Sequence, residues 1–151
     1  MVFTSTATVE LDSDSSSDAI WNVLSDGWTY ASWVVGTSRV RAVDPNWPQP
    51  GARLHHSFGV WPLVINDHTE VLELDAGRRI RLQARGWPTG EATVEITTSP
   101  TEGSSTRLTI EEDVTSGPAR VLPKPFRQAA TVPRNRETLR RLSLLASGRP
   151  A

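Results

Sequence analysis

The first residues alternate. Phe3, Ser5, Ala7, Val9 and Leu11 fall on one side, with threonine and glutamate between them. A period of two sends neighbours to opposite faces, so this stretch predicts a strand with one buried face. The period changes in DSDSSSDAIWNVLSDG. Ser15 is placed to cap a helix with Asp18 three positions on, Ile20, Trp21 and Leu24 give it an apolar stripe, and Gly27 offers a stop. A second short helix fits WTYASWVVG, closed by Gly36.

Alternation then returns and persists. Val40 and Ala42 alternate with Arg39 and Arg41, and GARLHHSFGV and VINDHTEVLELD flank Trp61-Pro62. RIRLQARG sets Ile80, Leu82 and Ala84 against Arg79, Arg81, Gln83 and Arg85. ATVEITTS and TRLTIEEDV follow, the latter with Leu108, Ile110 and Glu112 on one face. Short strands joined by hairpin-sized turns predict an antiparallel meander. Beyond the prolines at 118, 123 and 125, Leu139, Leu142 and Leu145 form a helical stripe with Arg134, Arg136, Arg140 and Arg141 opposite. This predicts an amphipathic helix to about Ser147, with Pro133 in its first turn or as a kink within a longer helix. The expected architecture is α+β, in the order β-α-α-β6-α: one domain over residues 1–147 and a frayed tail at 148–151. One helix does not easily fill the concave side of a strongly curved sheet, so an internal cavity is expected.

Composition narrows the chemistry. The chain has 151 residues, enough for one core but not two of ordinary size. Six tryptophans against one tyrosine and one methionine suit either a core or a cavity wall, because indole is a large apolar body with one N–H donor. The absence of cysteine excludes disulfides, thiolate nucleophiles and zinc–thiolate sites. No apolar run approaches a membrane span, and MVFTSTATVELDSD lacks the basic flank and apolar run of a secretory leader. A cytoplasmic protein is expected. The net charge of −1 hides an asymmetry: residues 1–77 carry 10 acidic and 3 basic side chains, residues 78–151 carry 7 and 13. The basic half reads first as a solvated arginine-rich helix face. Without interleaved aromatics it does not predict nucleic-acid binding.

All three histidines fall within HHSFGVWPLVINDH. His55 and His56 are neighbours on a strand, so both cannot face the interior, and His56 shares its parity with Leu54 and Phe58. If Trp61 to Val64 form the turn, His68 returns close to residues 55–57. One inward histidine with at most one neighbour falls short of the three or four converging ligands a metal needs, so neither metal nor other cofactor is expected. His56 reads as a satisfied cavity residue, with acid–base work as the sharper alternative. Glu112 either projects inward, needing a partner such as Arg85 or His56, or is solvated by strand twist. Phosphate loops and nucleophile or zinc-protease motifs are absent, and DSDSSSD lacks the glycine and glutamate of a calcium loop.

The helix pair DAIWNVLSDGWTYASWV, the hairpin PGARLHHSFGVWPLVINDHTEVLEL, and TRLTIEEDVTSGP before the terminal NRETLRRLSLLA resemble the helix-grip (SRPBCC) superfamily. That group includes START lipid-transfer domains, birch pollen allergen relatives and bacterial polyketide cyclases. The chain is most similar to the actinobacterial polyketide cyclase/dehydrase or lipid-transport-like branch over nearly its whole length. The resemblance implies a curved sheet around a long helix, and a second helix close to the cavity. It shares a cavity rather than a fixed catalytic motif.

The expected ligand contacts are Trp28, Trp33, Leu54, Phe58, Trp61, His68, Trp87, Leu108 and Ile110, and ordinary packing or turn anchoring is the competing explanation for each tryptophan. The first functional expectation is a carrier or sensor of a small hydrophobic molecule, lipid or polyketide-like, acting as monomer or homodimer. The second is an aromatase/cyclase-like enzyme in which Tyr30, His56, Arg85 and Glu112 handle protons and the enolate. The third is a partner- or stress-linked interaction role through the basic C-terminal helix.

Overall fold

The computed structural model describes residues 7–86 and 90–148. The elements run β1 (Ala7–Ser13), α1 (Ser17–Ser25), a 3-10 turn at Gly27–Thr29, α2 (Tyr30–Trp33), β2 (Thr37–Val43) and β3 (Arg53–Val60). β4 (Leu63–Asp75), β5 (Arg79–Gly86), β6 (Gly90–Pro100), β7 (Thr106–Ser116), a 3-10 turn at Pro118–Val121 and α3 (Lys124–Gly148) complete the chain. All seven strands form one antiparallel sheet in the order β1-β7-β6-β5-β4-β3-β2. The fold is therefore the α+β arrangement that the alternation predicted. The expected Phe3 and Ser5 of the first strand lie outside the described residues.

Local chemistry sets the ends of the elements. Ser16, not Ser15, caps α1: its Oγ accepts from the Ala19 amide at 3.2 Å, while Ser15 is buried and its own amide donates to Ser13 Oγ. In a run of three serines any one has the capping chemistry, and packing chooses among them. The second helix is one turn only. Gly36 follows it at φ +97°, where an added Cβ would lie 2.6 Å from the Phe58 ring, so glycine serves both the turn and the close approach.

Alternation sorts the sheet into two faces. Leu54, Val71, Ile80, Ile96 and Leu108 point inward and are almost wholly buried. On the outer face Arg79 and Arg81 reach Glu73 and Glu95 at 3.1–3.9 Å, a solvent-side lattice of modest energetic weight. The core fills one end of the concave face: Ile20, Val23 and Leu24 of α1 meet Leu139 and Leu142 of α3 over those strands. Trp21 is fixed there by donating to Thr98 Oγ1 at 2.9 Å.

The terminal helix is the longer of the two alternatives, 25 residues with Pro133 inside it. Its buried face begins polar, with Thr131, Asn135 and Thr138, and ends apolar, with Leu139, Leu142 and Ala146. The apolar half completes the core. The polar half lies over the other end of the sheet, which the core leaves unfilled. Arg134, expected on the solvent face, reaches inward to Glu112, because on the helix it falls beside Leu145 at the edge of the apolar stripe rather than opposite it.

Candidate functional site

The unfilled end holds an inner chamber of about 90 Å³ and an adjoining outer groove of about 350 Å³. Leu82, Val94, Ile96 and Ile110 make the sheet-side floor of the chamber, and Tyr30, Trp33 and Val34 its wall. Asn135 and Thr138 of α3 form the lid. Phe58, Ala84, Arg85, Glu112 and Arg134 line both spaces and define the neck between them. Leu122, just before α3, and Phe126 in its first turn, each more than half exposed, border the groove.

A hydrogen-bonded chain runs along the chamber wall. Thr69 Oγ1 lies 3.0 Å from His56 Nε2 and 3.1 Å from the Tyr30 hydroxyl, and all three residues are buried. Strand register brings them together: Thr69 stands opposite Leu54 on the inward face of the β3–β4 hairpin, and His56 opposite Asp67. The Tyr30 ring stacks on the His56 imidazole at 5.6 Å and meets Trp33 edge-on at 5.4 Å. Burial pushes the His56 pKa down to about 4, although Asp67 pulls the other way. Burial likewise raises Tyr30 to about 12 against the opposing hydrogen bond from Thr69. Both groups are therefore neutral at physiological pH.

Charge in the cavity is matched. Arg134 Nη2 donates to Glu112 Oε2 at the neck. Burial raises the Glu112 pKa, and Arg134 opposes that shift; Asn135 lies near enough to assist but makes no well-aligned hydrogen bond. Arg85 pairs with Glu91 at 2.9 Å and approaches Asp67 at 3.7 Å. Neither Arg85 nor His56 is the partner of Glu112 among the described contacts; Arg134 is. Among the described residues, three buried polar atoms on chamber-lining residues have no hydrogen-bond partner: Trp33 Nε1, His56 Nδ1 and Asn135 Nδ2. The contrast with the other indoles is informative, since Trp21 and Trp47 both donate, to Thr98 Oγ1 and to the Leu24 carbonyl.

The four expected proton-handling residues, Tyr30, His56, Arg85 and Glu112, all line the chamber, as do Trp33, Phe58 and Ile110 among the expected ligand contacts. Others fall elsewhere. Leu54 and Leu108 are wholly buried in the filled core rather than on the cavity wall, because α1 covers their end of the sheet. Trp28 is 61% exposed on the 3-10 turn, and Trp61 is 84% exposed at the hairpin tip. His68 stands opposite His55 on the outward face, its ring 6.0 Å from that imidazole, and does not reach the chamber. Trp87 lies outside the described residues. Sequence reasoning missed Thr69 and the α3 residues Arg134, Asn135 and Thr138. Thr69 shares its parity with Val71, which was a usable signal for an inward hydroxyl.

Among the described residues no helix is long and apolar enough to cross a membrane, and no group of three or more His, Cys, Asp or Glu side chains converges as a metal site would require. The basic face of α3 is partly neutralised from within, since Arg140 and Arg141 reach Glu137 at 3.4 and 3.1 Å.

Comparison with known proteins adds three results. The model of the family described as polyketide cyclase / dehydrase and lipid transport matches residues 4–146. No curated protein matches the chain in sequence. Solved structures share the fold: a START superfamily protein from Mycobacterium smegmatis superposes with a TM-score of 0.74 at 16% identity, covering 93% of this chain and 96% of that one. A protein from Nitrosomonas europaea gives 0.70 at 17% identity over 97% of this chain and 98% of its own. The di-domain ARO/CYC protein StfQ of the steffimycin biosynthetic pathway gives 0.68 at 11% identity, over 94% of this chain and 51% of that one.

Proposed function

This chain belongs to the polyketide cyclase / dehydrase and lipid transport family, and from that premise we propose that it binds a small hydrophobic ligand in the chamber and groove, as a carrier or sensor. The observation that carries the reading is an apolar chamber with a few buried polar groups, opening past an ion pair into a larger groove. Size supports using both spaces. The chamber of about 90 Å³ is below the usual range for ligand pockets, whereas the groove of about 350 Å³ reaches it, so one end of the ligand occupies the chamber and the remainder the groove. Native mass spectrometry of protein purified from its own host, beside a denatured control, tests this. A co-purifying molecule lost on denaturation supports the reading. A clean apo mass, with no tryptophan fluorescence response to a panel of lipids and polyaromatics, contradicts it.

A cyclase-like activity is the second reading, favoured by the Tyr30–Thr69–His56 chain on the chamber wall and by likeness to a protein whose name marks it as an aromatase/cyclase. The pKa values rank it behind binding. A histidine near 4 is a weak base at neutral pH and a tyrosine near 12 a weak acid, whereas efficient acid–base groups titrate near the working pH. Replacing His56 and Glu112 by glutamine discriminates: affinity kept with turnover abolished supports the enzyme, and turnover indifferent to both changes removes these residues from it.

A further inference from the structure

We propose that the end of the molecule that carries the groove docks on an anionic phospholipid bilayer, with the tip of the β3–β4 hairpin and the start of α3 as its two apolar contacts. This surface goes beyond the binding reading above and does not depend on it.

Strand register puts both contacts at one end of the sheet. β3 and β4 pair as far as Val60 and Leu63, so Trp61 and Pro62 form the hairpin tip. Thr69 stands opposite Ala84, and β5 runs on from there toward the same end, where Gly86 pairs with Gly90. Glu91 stands opposite Ser116, so β7 leaves the sheet at this end and leads through Pro118–Val121 into α3. Phe58, at the base of the tip, lines the same groove as Leu122 and Phe126.

Exposure sets this end apart from the rest of the surface. Val60, Trp61, Leu63 and Val121 are each more than four-fifths exposed, and Leu122 and Phe126 more than half. Single exposed apolar side chains are ordinary, but here they gather on two connections at one end. Among the described residues, the other large exposed apolar side chains, Trp28, Leu72 and Leu144, are scattered singly over three elements. A hairpin tip commonly uses glycine, asparagine, aspartate or serine, which water tolerates; Val-Trp-Pro-Leu is the opposite choice.

Charge selects the occupant. Residues 57–66 carry no charged side chain, and residues 114–136 carry five basic ones and no acidic one. Arg134 is engaged by Glu112, but Arg120 and Lys124 are exposed and interleaved in sequence with Val121, Leu122 and Phe126. Apolar side chains among cations match a bilayer whose anionic headgroups cover an apolar interior. Tryptophan favours the headgroup level, and each basic residue near an anionic surface adds attraction. A second copy of this chain fits less well, because pairing through this end about a two-fold axis would set the basic stretch against itself.

Co-sedimentation with sealed vesicles tests the proposal, comparing phosphatidylcholine alone with phosphatidylcholine containing about 30% phosphatidylglycerol. The protein should pellet with the anionic vesicles, bind the neutral ones at least tenfold more weakly, and lose affinity as salt rises. Trp61→Ser, Phe126→Ser and Lys124→Glu should each weaken binding about fivefold or more. Leu144→Ser, which removes an exposed leucine about 27 Å along α3 from Phe126, should leave binding unchanged. Bromine-labelled lipid chains should quench the tryptophan fluorescence of the parent, and less so that of Trp61→Ser. No binding to either vesicle, equal binding to both, or equal losses from Leu144→Ser and Trp61→Ser overturns the inference. A dimer in sedimentation equilibrium that Trp61→Ser and Phe126→Ser dissociate also overturns it, by assigning the surface to a second copy. Protein that carries no ligand yet still pellets with anionic vesicles supports this inference even where the binding reading fails.

Discussion

Arg134 Nη2 donates to Glu112 Oε2 across the neck that joins the chamber to the groove, linking α3 to the middle of β7. The carboxylate is buried and the guanidinium about one-third exposed, so the two sides of the pair are not equivalent. Removing the arginine leaves a buried charge without its partner, the costly half of such an exchange. Arg134→Met is therefore expected to destabilise the protein by about 2–4 kcal/mol at pH 8, somewhat less than for a fully buried pair.

The same variant carries a pH signature. Burial already raises the Glu112 pKa, and loss of Arg134 raises it further. A folded-state carboxyl titrating above its unfolded value binds extra protons in the folded form, so stability rises as the pH falls through that window. Urea titrations at pH 8 and pH 5 should show Arg134→Met recovering stability relative to the parent at the lower pH, and Glu112→Gln in the same background should remove that relative recovery, the opposing contribution of His56 being common to all three proteins. Equal instability of the single and double variants at both pH values would refute the assignment.

Thr69 makes a sharper test because its substitution can preserve shape. Thr69→Val keeps the volume but leaves His56 Nε2 and the Tyr30 hydroxyl without their common partner. Each orphaned buried group costs about 1–3 kcal/mol, so a loss of roughly 2 kcal/mol or more is expected, whereas Thr69→Ser should recover most of it. Chemical denaturation of the three proteins measures this directly. A valine variant as stable as the parent would show that water satisfies both groups.

His56 should give the protein an acid-sensitive component. Its folded pKa lies near 4, below the ordinary 6.5, so between these values the unfolded chain binds a proton that the folded one does not. Stability therefore falls as the pH drops from 6.5 toward 4, by roughly 3 kcal/mol over the full window. Glu112 contributes with the opposite sign, so the comparison that isolates the histidine is the parent against His56→Gln. The variant's profile should be flatter over that range, and parallel profiles would contradict the buried neutral imidazole.

These residues also show what a sequence can and cannot place. The opposed directions of His55 and His56 follow from strand parity alone. The position of His68 depends on the turn, and a turn at Trp61 to Val64 would have brought it near Ser57. The actual pairing of Val60 with Leu63 makes the connection two residues long, which places His68 opposite His55 instead; His55 and Ser57 share the outward face, so His68 is off the cavity in either register. Arg134 was obscure for a different reason. The α3 face over the cavity begins Thr131, Asn135, Thr138, on the same side of the helix as Leu139, Leu142 and Leu145 but polar, and Arg134 sits at the edge of that side, so a hydropathy stripe does not mark these positions as buried. Hydrophobic patterning reads a filled core well. A polar-lined cavity reverses its sign, so the fold was legible and the lid of the site was not.

Small residues at the neck provide the most direct separation of cavity from core. Ala84 lines both chamber and groove and stands opposite Thr69 on one neighbouring strand and Ala92 on the other. Nothing large is needed at this position for the sheet to close; a small side chain keeps the two spaces joined. Ala84→Phe should therefore grow into existing space, with a stability change within about 1–2 kcal/mol, at the mild end of overpacking. If the chamber and groove together hold a ligand, the same substitution should weaken binding by tenfold or more, measured by dialysis alongside the thermal midpoint. Loss of binding with stability retained would locate the ligand in the neck and chamber. Undiminished binding would place it in the groove alone, beyond Phe58, and separate the polar chain from recognition.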